Sequence, residues 1–235
     1  MGREKQSLFN KKRESRRKRE VKERRYRAET WLFLSEGKTE ANYFKGLAEY
    51  LNKTSNIKIK IETHPLGTST TRVVKKVEEF FSYSDGLYSR KRIKYAKVIF
   101  AFDKDSFDDF NNAISLAKQR YPDYIVAWSN ESFELWLRLH FEHIVTGISR
   151  KQLNNSLTNL LRTHGILTKD QNYGKHGKGL QNIFNIIIDC GGSHEVAIRN
   201  AKKLLTGDAV INPALANPAT AVHIAVEALI NESQA

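Results

Sequence analysis

A chain of 235 residues, 40% hydrophobic, is long enough to bury one large core or two small ones. No apolar run approaches the roughly 20 residues of a membrane span, and a single cysteine, Cys190, excludes internal disulfides and multi-cysteine zinc sites. The formal charge of +13 is uneven, since residues 1–30 hold thirteen Lys/Arg against five Glu.

Residues 3–27 are Arg/Lys-rich and nearly free of apolar side chains, so they cannot bury a face. Residues 1–29 are therefore expected to form a basic arm, either mobile or a charged helix that orders on binding. Arg13, Arg16, Arg17, Lys18, Arg19, Arg24 and Arg25 are its candidate phosphate contacts, because such charge attracts polyanions through counterion release. Without an apolar stretch the arm does not read as a secretory signal, and a cytoplasmic protein is expected.

From Thr30 the chain alternates. Residues 30–35 form an apolar run, hence a buried strand, and 39–52 carry Ala41, Phe44, Leu47, Ala48 and Leu51 at helical spacing. Residues 57–62 alternate strictly, as a half-exposed strand near a sheet edge does. Residues 69–83 read as a helix through Val73, Val74, Val77, Phe80 and Phe81, and 84–94 as a polar loop. Residues 95–102 are a second buried strand. A helix over 106–120 follows, stopped by Tyr121-Pro122, and then a strand over 124–128. Ser129-Asn130 is expected to open the next helix, running to about His140.

Strands each followed by a helix predict an α/β fold, a parallel sheet covered on both faces. This core is expected over 30–145. Residues 146–235 are expected to be mostly helical and packed on it, with helices over 149–163, 178–189, 193–205 and 219–231.

In such sheets ligands bind outside the carboxyl ends of the strands. Two acidic stretches fall there: Glu36-Gly37-Lys38-Thr39-Glu40 after the first strand, and Asp103-Lys104-Asp105 after the third. Mg²⁺ prefers oxygen ligands and is commonly held by one or two carboxylates plus substrate phosphates, so Glu36, Asp103 and Asp105 predict a metal site. Glu36 has no ready structural use, because an acid directly after a buried strand needs a partner or a cation. Glu40 either complements the helix start, with Thr39 as cap, or joins the site. Glu134 sits among apolar residues and either supplies a ligand or faces solvent. Ser129-Asn130 is read as a third edge of the same crevice. The Gly/Lys loop over 170–179 could line the site.

Gly37-Lys38-Thr39 matches the end of a phosphate-binding loop, but Leu32 stands where that motif needs its first glycine. His140 and His143 are three apart without a third zinc ligand, and no nucleophile-elbow serine is present. Covalent catalysis is not expected.

The ordered set of motifs resembles the RloB-like family. It comprises Glu36-Gly37-Lys38-Thr39-Glu40 with Asn42-Tyr43-Phe44, then Phe102-Asp103-Lys104-Asp105, and Ser129-Asn130 with Phe133-Glu134-Leu135-Trp136 and His140-Phe141. Asn217-Pro218 with Thr220 and Val222-His223 completes it. The family often has Pro after the Ser-Asn pair, where this chain has Glu131. The resemblance implies a Toprim-like core, with Glu36 as its glutamate and Asp103/Asp105 as its metal pair. It also implies a Mg²⁺- or Mn²⁺-dependent nuclease cleaving DNA or RNA, transfer RNA included, at a phage-defence or restriction-modification locus. Glu40, Glu134 and Lys175 would be additional ligands, base or phosphate neutraliser. An ATPase or other defence partner, and a homo-oligomer, are compatible with it. The alternatives are a nucleic-acid-binding subunit active only with a partner, and an enzyme on small nucleotides.

Overall fold

A computed structural model of the chain describes residues 28–55, 57–66, 71–72, 74–77, 79, 95–105 and 108–234. The arm residues Arg13, Arg16, Arg17, Lys18, Arg19, Arg24 and Arg25 lie outside them, as do the loop 84–94 and most of the apolar positions expected on the helix over 69–83.

Five strands form one sheet: β1 (Ala28–Ser35), β2 (Lys58–Pro65), β3 (Lys97–Asp103), β4 (Ile125–Asn130) and β5 (Ala219–Thr220), in the order β2-β1-β3-β4-β5. β1 pairs in parallel with β2 and β3, β3 pairs in parallel with β4, and β5 is antiparallel to β4. The fold is thus α/β with a mostly parallel sheet. The strictly alternating segment is the edge strand β2, as its half-exposed pattern predicts.

Consecutive side chains leave a strand on opposite faces, so β1 and β3, covered by helices on both sides, feed two cores. Trp31, Phe33, Ile99 and Ala101 enter one core; Leu32, Leu34, Val98, Phe100 and Phe102 enter the other. The first core is shared with α1 (Lys38–Leu51), α3 (Glu134–Leu139), α4 (Arg150–Thr163), α5 (Ile183–Asp189), α6 (His194–Leu204) and α8 (Val222–Gln234). The helix segment around Val74 and Val77 covers the other face together with α2 (Phe110–Arg120), and the short α7 (Asp208–Ile211) adds Ala209 there. Within the first core His140 lies under α1. It accepts from the Tyr43 hydroxyl at Nε2 and donates from Nδ1 to the Trp136 carbonyl, both at 3.0 Å. Burial depresses its pKa to about 4, which keeps the ring neutral.

Several boundaries differ from the sequence expectation. Gly37, in extended conformation, precedes α1 as its N-cap with no side-chain cap, and Thr39 is already helical. α2 starts at Phe110 rather than near 106. β4 runs through Ser129 and Asn130, so those residues end a strand and the helix begins only at Glu134. The cause is tertiary. Ser129 shares a 3.0 Å hydroxyl contact with Thr220, and the Asn130 amide donates to the carbonyls of Pro213 and Ala214. Two-residue β5 takes 219–220 out of the final helix for the same reason. The Asn130–Glu131 peptide bond, where the sequence departs from the family pattern, is cis.

Candidate metal centre

β1 connects to β2 on one side of the sheet, and its other neighbour is β3. The crevice between β1 and β3 is therefore a topological switch point, where open α/β sheets bind ligands. Ser35 pairs with Ala101, so the carboxyl ends of both strands emerge together. Glu36 follows one and Asp103 ends the other. A cleft of about 260 Å³ opens there, lined by Glu36, Lys38, Glu40, Asp103, Glu134, Arg150 and Lys178 among others.

Each acid reaches it from a different element. Glu40 stands in the first turn of α1 and is buried. Glu134 is the first residue of α3 and only 3% exposed, so it does not face solvent. Asp103 is buried at the end of β3, and Asp105 lies just beyond in a left-handed conformation with φ of 47°. The Ser129-Asn130 pair does not line the cleft; its side chains are spent on holding β5 and the 213–214 segment.

The electrostatics follow from this crowding. Burial, with Asp105 nearby, raises the Glu36 carboxyl above its ordinary range, against a lowering backbone hydrogen bond from Asp103. Burial and the neighbouring Glu134 and Glu36 push Glu40 up to about 7. Burial and the charges of Glu40 and Glu134 hold Asp103 well above the usual carboxylate range. Glu36 Oε2 and Glu40 Oε2 are buried without a hydrogen-bond partner. Native proteins rarely leave such atoms unmatched unless the site has a further occupant or use.

Two cations that the sequence did not single out enter the cleft. Arg150, the first residue of α4, bonds Asp103 Oδ2 through Nη2 at 3.1 Å and Asp105 Oδ2 through Nη1 at 2.9 Å. Its backbone N–H donates to the Glu131 carboxylate, and Ser149 with Gln152 forms a capping box behind it. Lys178 Nζ stands 3.5 Å from Glu134 Oε1.

Lys178 is placed by the Gly/Lys loop. Residues Tyr173–Gly177 wind into one π turn, in which Lys175 is exposed and does not line the cleft. Beyond the turn, Gly179 has φ of 78°. Its N–H donates to Thr39 Oγ1 at 3.2 Å, and the Asn42 amide donates to its carbonyl at 3.0 Å. These bonds clamp the loop to α1 and leave Lys178 in the crevice. α1 also carries Lys38, Glu40, Lys45 and Glu49, so Thr39 and Asn42 do not stand out in the sequence as partners of a distant loop. The buried Tyr173 hydroxyl lies beside Thr39 and Glu134 without closing a full hydrogen bond to either.

An all-oxygen donor set of buried acids suits a hard divalent cation such as Mg²⁺ or Mn²⁺. Among the described residues, no three His, Cys, Asp or Glu side chains converge closely enough to hold an ion as they stand. Like charges repel without a cation between them, and Arg150 holds Asp103 and Asp105.

Fold and site together define an α/β protein with a carboxylate cluster at the carboxyl ends of two parallel strands. A family model described as RloB-like protein matches residues 31–229, and the chain belongs to that family. No curated protein and no solved structure matches the chain. Among the described residues no helix is long and apolar enough to cross a membrane.

Proposed function

We propose that the protein is a Toprim-type, divalent-metal-dependent nuclease that cleaves phosphodiester bonds of DNA or RNA in anti-phage defence. The observation that carries this reading is the convergence of Glu36, Glu40, Asp103 and Glu134 on one crevice, with two buried carboxylate oxygens left unmatched. Glu36 after β1 and Asp103/Asp105 after the adjacent β3 have the order of a Toprim glutamate and its aspartate pair. These three residues would hold the cation, with Glu40 or Glu134 completing its shell. A divalent cation there supplies Lewis acidity that activates water and stabilises the leaving oxygen. Where Glu36 is not a ligand, its carboxylate is the general base that takes the water proton. Lys178, which lines the cleft, rather than Lys175, which does not, neutralises phosphate charge within the crevice. The basic arm holds the nucleic acid by its backbone, a sequence-independent contact.

Cleavage of duplex DNA, single-stranded RNA and transfer RNA, with and without Mg²⁺ or Mn²⁺, tests the reading. Metal-dependent products are expected from the wild type and none from Asp103→Ala/Asp105→Ala. Undiminished cleavage by that double variant would overturn it. A second reading, a nucleic-acid-binding subunit activated by a partner such as an ATPase, has one observation in its favour: Arg150 holds both aspartates of the pair. Wild type that binds nucleic acid yet cuts nothing with either metal would favour it.

A further inference from the structure

The Arg150 guanidinium uses both terminal nitrogens on the two aspartates expected to bind metal. A divalent cation requires the same oxygens. The two occupants compete, so binding one must weaken the other by the same factor. The Arg150 backbone stays at the rim of the cleft when the guanidinium is displaced. Its backbone N–H is held by Glu131, and the Ser149–Gln152 capping box fixes the start of α4. Only the side chain is free to swing, and its Nε is buried without a partner even in the paired state. A guanidinium that has yielded Asp103 and Asp105 to a cation has lost the two carboxylates that its terminal nitrogens bond. Its planar donors match two oxygens of a phosphate.

We infer that Arg150 is a charge-exchange residue: it neutralises Asp103 and Asp105 while the metal is absent, yields them to the cation, and then binds a phosphate group of the substrate. The inference rests on the metal-site part of the proposed function and extends it by assigning a residue that touches substrate. It accounts for a cluster of buried acids that stays folded before metal arrives. It also makes phosphate binding at Arg150 conditional on a loaded site.

The test uses the full chain and two readouts that need no catalysis. Mn²⁺ affinity is measured by calorimetry, and inorganic phosphate affinity is measured at saturating Mn²⁺. Arg150→Met, which keeps the length and removes the charge, should bind Mn²⁺ about tenfold more tightly, within the usual range for coupling between two ligands. It should bind phosphate about tenfold more weakly, as removal of a bidentate charge-assisted pair implies. A merely structural role moves both affinities down together. Arg150→Lys, with its charge kept and its fork removed, should bind Mn²⁺ nearly as the wild type does and still lose phosphate affinity. It serves if the Met variant fails to fold. Mn²⁺ binding that is unchanged or weaker in Arg150→Met overturns the inference, as does unchanged phosphate binding in either variant. Failure of the nuclease reading looks different, because both affinity shifts would then appear in a protein that cuts nothing.

Discussion

Lys178 Nζ lies 3.5 Å from Glu134 Oε1, joining the residue after the π turn to the first residue of α3. Glu134 is buried, so removing its partner strands a charge. Lys178→Met should lower stability by about 1–2 kcal/mol, well below a fully buried pair because the lysine is 38% exposed. It should also reduce cleavage by about ten- to a hundredfold, since a phosphate-neutralising charge is removed. Lys175→Met, on the exposed turn, should stay within about twofold of wild type. Urea unfolding and steady-state cleavage of both variants check this. A larger loss of cleavage in Lys175→Met than in Lys178→Met would place the functional lysine on the turn.

Glu40 is pushed to about 7, from an ordinary 4.5, chiefly by burial. A carboxyl with a raised folded-state pKa holds its proton where the unfolded chain has released it. Stability therefore falls as pH rises from about 4.5 to about 7, by about 3 kcal/mol at ~1.4 kcal/mol per unit. Raised Glu36 and Asp103 act in the same direction. Metal-free Glu40→Gln should match the wild type near pH 4.5 and exceed it at pH 8. Mg²⁺ should raise the wild-type melting temperature more at pH 8 than at pH 5.5, and less in the variant. A wild-type-minus-variant difference that is flat in pH would contradict the assignment.

The π turn wraps the fully buried Tyr173 ring so closely that a Cβ on Gly177 would meet Tyr173 Cδ2 at 2.4 Å. The ring has no room to retreat. Gly177→Ala should cost about 1–3 kcal/mol, as overpacking does, and loosen the segment that presents Lys178. At Gly174 the nearest atom to an added Cβ is 3.5 Å away, so Gly174→Ala is the matched control. Thermal melts of the pair should separate them clearly. Indistinguishable melts would mean that the turn is not packed against Tyr173 in solution.

Deleting residues 1–27 removes thirteen Lys/Arg and four Glu. Nucleic-acid affinity at 50 mM salt should fall at least about tenfold, and the salt dependence should flatten by about 0.9 log unit for each phosphate that the arm no longer neutralises. Fluorescence anisotropy titrations at several salt concentrations read both quantities. An unchanged slope would remove the arm from the interface and favour a small-nucleotide substrate.

Much of the architecture was legible because burial on both faces leaves a plain mark. The apolar runs at 31–34 and 98–102 are β1 and β3, and the strict alternation of Ile57, Ile59 and Ile61 announced an edge. Helical periodicity found α1, α4 and α6 to within a residue or two. What failed were boundaries set by distant partners. Ser129-Asn130 has the look of a helix start, yet Thr220, Pro213 and Ala214 hold it as strand. Thr39 has the chemistry of a cap, yet its hydroxyl is taken by the Gly179 N–H.

The candidate site divides in the same way. Glu36, Asp103 and Asp105 could be found in the sequence because strand ends are local and the carboxyl edge of a parallel sheet is where ligands bind. Glu134 and Glu40 could be named but not decided, since spacing does not say which side of a helix start is buried. Arg150 and Lys178 carry no local signal at all. One is brought to Asp103 and Asp105 across 47 and 45 positions by the packing of α4, the other to α1 by a glycine loop. By itself the sequence determined the sheet, its acidic edge and the concentration of basic charge at the N-terminus, which depend on short-range pattern and composition. Only the tertiary structure decided which cations face those acids and which acids are shut off from water, because both depend on packing between segments far apart in the chain.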